Sequence, residues 1–358
     1  MPGVSDVFGE DIERAAAAPE VPWELLSDAT AVVTGATGLV GGALARVLAA
    51  AGAGRATGLR VVGHGRDLGK GAALARDCGA EFFASDIREP LGVQVDRDKP
   101  LYVFHCAATT ASSAMVSSPV ELMASAALGT ANVLDWAWRN GAACFVYLSS
   151  MEVYGRVGSE QAREQDLGYL DLRRARSSYP ESKRFCECLC ACYLASRGLA
   201  TKVARLALTF GAGSPQGGGV CAQFARSAAA GEDVVLHTEG ASMWNYCYIA
   251  DAVKGLALIA LRGEPGGVYN VANPDMSMTI REMAEVAARC SVGGKSRAVV
   301  RAPDDIAERG YLTDLGYKLD AGKLMALGWR PAYGMEDMFR RAIADWAAAD
   351  EGQAAREE

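Results

Sequence analysis

From Ala29 onward, short apolar runs alternate with longer segments in which apolar residues recur every three or four positions. The runs ATAVVTG, LRVVGHG, EFFASDI, LYVFHCAA, ACFVYLSS and TKVARLA are short and mostly rich in β-branched or aromatic side chains, the pattern of strands buried on both faces. Between them, GLVGGALARVLAAAG and segments around Lys70–Cys78, Glu121–Asn140 and Tyr179–Arg197 carry the helical period. Strands alternating with helices predict βαβ units, hence the α/β class: a Rossmann-like doubly wound parallel sheet over residues 29–210. Ahead of it, residues 6–18 predict a short helix capped by Asp6 and stopped by Pro19 and Pro22, within a leader segment 1–28. Beyond Phe210 the regularity decays. Glycine-rich GAGSPQGGG, the helix VCAQFARSAAAG, the strand DVVLHT and the segment NYCYIADAVKGLALIALRG predict a smaller C-terminal substrate-binding lobe, 211–350, interleaved with the last sheet elements. The charged tail 351–358 is expected to fray.

Composition narrows the classes. With 358 residues, 50% hydrophobic and 22% charged, the chain can bury a large core, which excludes bulk disorder. The 36 Lys+Arg against 43 Asp+Glu give a net charge of −7 and no basic cluster, which argues against nucleic acid as a partner. No stretch approaches the roughly 20 apolar residues of a membrane span, and the acidic N-terminus lacks a basic n-region. No membrane partner and a cytoplasmic location are therefore expected. The ten cysteines then read as reduced thiols behaving as small apolar residues. Cys186, Cys188, Cys190 and Cys192 would point to opposing faces of a helix, and His64, His105 and His237 are scattered, so no metal site is expected.

Thr34-Gly35-Ala36-Thr37-Gly38-Leu39-Val40-Gly41 follows an apolar strand and opens a helix. In that context Gly35 permits a tight turn, Gly38 a close approach of backbone to a pyrophosphate, and Gly41 close helix–strand packing, with the helix N-terminus facing the anion. The bland alternative is a glycine-rich turn without a ligand. At the end of the second strand, where an acidic residue would bind a ribose hydroxyl, stand Gly65 and then Arg66. A guanidinium there suits a 2′-phosphate and favours NADP, while Asp67 keeps NAD open. Asp86, after the third strand, is placed either to accept from an adenine amino group or to sit in a surface turn.

Tyr179-Pro180-Glu181-Ser182-Lys183 puts a phenol and an ammonium four residues apart on one helical face. A tyrosine titrating near ~10 is a poor base, but an adjacent cation favours the phenolate, which can take a hydroxyl proton as hydride leaves the same carbon. Ser149-Ser150 ends a strand ahead of it.

With TGATGLVG, SDI, HCAA, YLSSMEVYG, YPESK, RLALTFG, YIADAV and LGWRP in place, the chain resembles the extended short-chain dehydrogenase/reductases, the NAD(P)-dependent sugar epimerase/dehydratases, from about Ala29 to Pro331. The resemblance implies Ser150 orienting a substrate hydroxyl, Tyr179 as base and Lys183 as its partner. It implies cofactor contacts at Gly35, Thr37, Gly38, Leu39, Gly41, Arg66, Asp86, Ile87, Ala107, Ala108, Tyr179 and Lys183, and a homodimer packed through helices near 121–140 and 180–197. Dehydratases of the family carry an Asp-Glu pair after the hydroxyl residue, where this chain has Met151-Glu152. One carboxylate can abstract a proton beside a ketone, so Glu152 favours epimerisation or reduction over dehydration, unless it is a solvated loop residue. Ala126, Leu208 and Trp244 replace family Asn, Asn and Arg, the last two of which hold a diphosphate. The substrate is expected to be a sugar or nucleotide sugar, with Ser150, Leu208, Trp244 and Tyr246 as contacts; Trp244, Tyr246 and Tyr248 would stack on it unless they are core. A keto-sugar reductase and a catalytically silent NAD(P) sensor are the alternatives.

Overall fold

The computed structural model describes residues 4–214, 219–301 and 316–357. Seven strands form one parallel sheet: β1 (Thr30–Thr34), β2 (Arg60–Gly65), β3 (Glu81–Ala84), β4 (Leu101–His105), β5 (Cys144–Ser150), β6 (Thr201–Leu206) and β7 (Val268–Val271). Their order is β7-β6-β5-β4-β1-β2-β3. Residue Thr30 pairs with Arg60 on one side and Leu101 on the other, so the order reverses between β1 and β4. In open α/β sheets that reversal leaves a crevice beyond the strands' carboxyl ends.

The period of two along each strand divides the interior into two cores. Ala31, Val33, Phe104, Val146 and Ala204 face one side, with Leu44 and Leu48 of helix α2 (Leu39–Gly54). Val32, Val103, Phe145 and Val203 face the other. There they meet Val133, Leu134 and Ala137 of α4 (Pro119–Arg139) and Cys186 and Cys190 of α5 (Ser178–Arg197). Helix α3 (Leu68–Cys78) lies between β2 and β3 in the chain. The cysteine run divides as its spacing requires, Cys186 and Cys190 buried, Cys188 and Cys192 exposed.

The leader is firmly built in. Helix α1 (Asp6–Ala16) is capped by Ser5, which accepts from the Phe8 N–H, and not by Asp6, which is its first helical residue. On α1, Asp11 is buried and accepts from the Tyr248 and Tyr333 hydroxyls and from Arg341 Nε at 2.7 Å. Three segments distant in sequence thus converge on one carboxylate. The segment NYCYIADAVKGLALIALRG splits into a lobe strand, Met243–Tyr248, and the helix Ile249–Arg262, which is buried along nearly its whole length. Leu208–Phe210, Met243–Tyr248 and Ser277–Thr279 make a small lobe sheet, while β7, later in sequence, returns to the main sheet. Within GAGSPQGGG, residues 215–218 lie outside the described residues. The segment expected to fray continues the last helix, Met335–Glu357; residue 358 lies outside the description.

Candidate active site

β1 delivers its last residue, Thr34, into the glycine turn. At Gly35 φ is +69°, and a Cβ would lie 2.8 Å from the Ala107 backbone. A Cβ on Gly41 would come within 2.4 Å of the Gly35 carbonyl oxygen, so α2 crosses that turn at backbone contact distance. Gly38 is the N-cap of α2 and has no side chain to occupy the free N–H groups of the first turn, leaving them for an anion. Beyond it opens a cavity of about 240 Å³ lined by Gly35, Thr37, Gly38, Gly65, Arg66, Asp86, Ile87, Ala107, Ala108, Tyr179 and Lys183. Ten of the twelve expected cofactor residues therefore line one space. Leu39 and Gly41 stand behind it, Gly41 shaping the turn.

The exposed Arg66 stands at the cavity edge. Asp67 caps α3, accepting from the Lys70 N–H at 3.0 Å, so its carboxylate is already engaged. At Gly65 any Cβ would press on Thr37 Oγ1 at 3.1 Å. The Arg88 guanidinium and N–H bond Asp86 and hold its carboxyl well below the usual range. Two histidines support the floor. His105 bridges Thr34 Oγ1 at 2.7 Å and Thr130 Oγ1 at 3.1 Å, and burial lowers it to about 3. His64 meets Ser85 Oγ at 2.9 Å, and burial lowers it to about 4. Both rings are neutral near pH 7, so neither adds charge beneath the cavity.

Ser150 ends β5 and Tyr179 opens α5. Burial, and then the Glu152 charge, push the Tyr179 phenol well above its ordinary value; a hydrogen bond to Ser150 and the Arg176 charge pull the other way. Lys183, one turn further along α5, donates from Nζ to the Leu148 carbonyl at 2.6 Å and lies 5.9 Å from the Tyr179 ring centroid. Burial lowers its ammonium to about 8. A phenol and a cation whose charge burial makes tunable thus line the cavity together, with Ser150 at the end of β5 outside its lining.

Glu152 is not a solvated loop residue. Its side chain is 14% exposed and ion-paired with Arg176, whose Nη2 donates to Oε1 at 3.0 Å while Nη1 lies 2.8 Å from Oε2 without forming a hydrogen bond. Met151, standing where the second acid would be, is 2% exposed and packed into the core. Sequence reading missed Arg176, because nothing local links it to Glu152, and it missed Tyr317, whose hydroxyl donates to the Met151 carbonyl at 2.8 Å.

The expected substrate contacts divide. Leu208 is half-buried and pairs across strands with Tyr246, and Trp244 is 7% exposed. Tyr246 and Tyr248 are wholly buried, the latter bonded to Asp11, so these two rings are core and have no free face for a ligand. None of Ser150, Glu152, Leu208, Trp244 and Tyr246 is among the residues lining the cofactor cavity. Among the described residues no cluster suits a metal ion, and no helix is long and apolar enough to cross a membrane.

A family model described as the NAD dependent epimerase/dehydratase family matches residues 31–272. UDP-glucuronic acid decarboxylase 6 of Arabidopsis thaliana is 30% identical over 254 residues, 70% of this chain and 69% of that one. UDP-glucuronic acid decarboxylase 1 of Xenopus tropicalis is 26% identical over 265 residues, 74% of this chain but only 59% of its own length. Among solved structures, the UDP-glucose 4-epimerase of Thermus thermophilus in complex with NAD superposes with a TM-score of 0.73 at 26% identity, covering 89% of this chain and 99% of that one.

Proposed function

Because the chain belongs to the NAD dependent epimerase/dehydratase family, we propose that it oxidises a sugar hydroxyl to a transient ketone and resolves that ketone by epimerisation in preference to loss of water. The observation that carries the reading is that Tyr179 and Lys183, one turn apart on α5 with Nζ 5.9 Å from the phenol ring centroid, both line a cavity floored by the glycine turn. Ser150 holds the substrate hydroxyl against Tyr179 and Tyr179 accepts its proton. The buried Lys183 supplies the positive charge that the phenolate needs. A nicotinamide cofactor bound there supplies the hydride acceptor and, if retained, the hydride donor for the return step. The residues fit such a group: the side-chain-free helix N-terminus would take its pyrophosphate, and Asp86, Ile87 and Lys183 line the space that would hold the rest of it. Arg66, with Asp67 occupied as a cap, supports NADP over NAD.

Removing water from a 4-keto sugar calls for an acid and a base, and with Met151 turned into the core only Glu152 remains. A second reading, oxidation followed by loss of carbon dioxide from a uronic acid, needs no such pair and is supported by the decarboxylase relatives. The substrate is a sugar or nucleotide sugar, and the exposed Val120, Met123, Leu128 and Phe185 on the paired helices α4 and α5 support a homodimer. NMR of the products formed from UDP-glucose and UDP-glucuronic acid tests the proposal. An inverted carbinol carbon supports epimerisation, a pentose supports decarboxylation, and a 6-deoxy-4-keto product overturns the argument from Met151.

A further inference from the structure

Arg176 sits in the one-turn helix Ala175–Ser177, directly ahead of α5 and three residues before Tyr179. Its frame is tied down on both sides: Ser177 Oγ donates to the Asp171 carbonyl at 2.7 Å, and Ser178 Oγ to the Met115 carbonyl at 3.3 Å. From this frame the guanidinium donates from Nη2 to Glu152 Oε1 at 3.0 Å and brings Nη1 within 2.8 Å of Oε2, in an ion pair whose two side chains are about 15% exposed. We propose that Arg176 is a positioning residue for the base: it pairs with Glu152, so that this carboxylate stands beside Tyr179 with its charge offset instead of as a free anion. The inference rests on Tyr179 being the proton acceptor.

The surroundings leave little else for that task. The titratable and charged groups facing Tyr179 are Tyr147 on β5, Glu152 after it, Arg176, and Lys183 on α5. The packed side chains of Met115 and Leu122 are apolar. Lys183 is committed to the Leu148 carbonyl, so Glu152 draws its compensating charge from Arg176. Removing one partner of a poorly solvated pair leaves the other charge uncompensated, and a bare carboxylate beside a phenol opposes its ionisation.

The test compares wild type, Arg176→Met, Glu152→Gln and the double variant in single-turnover oxidation of UDP-glucose and UDP-glucuronic acid across pH. Arg176→Met should raise the apparent pKa of the ascending limb of the pH–rate profile by about one unit and slow oxidation at pH 7 about tenfold. Glu152→Gln in the same background should return the profile to that of Glu152→Gln alone. Ultraviolet titration of the tyrosinate band in cofactor-loaded protein, with Tyr179→Phe as blank, reads the same shift without turnover. The inference is overturned if Arg176→Met leaves profile and titration where wild type has them, or if removing the carboxylate fails to reverse the shift. The double variant removes both members of the pair, so it separates this effect from poor folding. Activity that survives Tyr179→Phe would instead remove the base mechanism itself.

Discussion

Replacing Gly41 and Gly38 by alanine, one at a time, should separate the turn's architecture from its ligand. A methyl on Gly41 would stand 2.4 Å from the Gly35 carbonyl oxygen and 2.8 Å from its carbonyl carbon, both backbone atoms that cannot rotate away. Relief requires α2 to withdraw from β1 by about 1 Å, against contacts normal beyond ~3.5 Å. Such overpacking costs about 1–3 kcal/mol, or an unfolding midpoint lowered by roughly 1–4 °C for a chain of this length. At Gly38 the nearest atom to a new Cβ is 3.4 Å away and φ is −92°, so alanine fits the unliganded fold with no strain. Its methyl would instead project where a pyrophosphate must approach the helix N-terminus. Gly38→Ala should therefore keep the wild-type melting temperature yet bind NAD(P)H at least about tenfold more weakly. Gly41→Ala should lose stability first. Calorimetry and cofactor fluorescence titration read both. Equal melting temperatures for the two variants, or wild-type cofactor affinity in Gly38→Ala, would refute this account of the turn.

Arg66→Ala should weaken NADPH about tenfold or more and leave NADH within a factor of two, because a charged hydrogen bond to a phosphate contributes about 1.5–3 kcal/mol; parallel titrations decide it. Lys183 is held at about 8, below its usual 10.5, so between those values the unfolded chain binds more protons than the native one. Stability of the cofactor-free protein should thus gain a rising component from pH 8 to 10.5, up to roughly 3 kcal/mol, and Lys183→Met should lack it in pH-dependent urea melts. Leu128→Glu, placing a charge on an exposed apolar position of α4, should convert a dimer to a monomer in light scattering without altering the circular dichroism spectrum.

The parts of this protein that local pattern controls were legible in the chain. The strands β1 to β6 and the helices between them follow from hydrophobic period, and the glycine turn and the Tyr179–Lys183 pair are each fixed by residues within one turn of each other. What depends on long-range packing was not. The capping of α1 by Ser5 was within reach, but nothing in sequence foretold that Asp11 would gather Tyr248, Tyr333 and Arg341. Tyr246 and Tyr248 resemble ligand-stacking aromatics in a linear reading and become core only because α1 and the lobe strands cover them. Glu152 looked like a lone carboxylate, since its partner lies 24 residues away across an irregular loop. Asp67, which in the sequence kept a ribose contact open, turns out to cap α3 through one carboxylate oxygen.

The most direct measurement mixes cofactor-loaded protein with UDP-glucuronic acid or UDP-glucose and follows the absorbance of reduced nicotinamide in a single turnover, in wild type and in Tyr179→Phe. The account predicts a transient in wild type and one slower by about 10²–10⁴-fold in the variant at equal cofactor occupancy. Reduction at the wild-type rate without the phenol would contradict it.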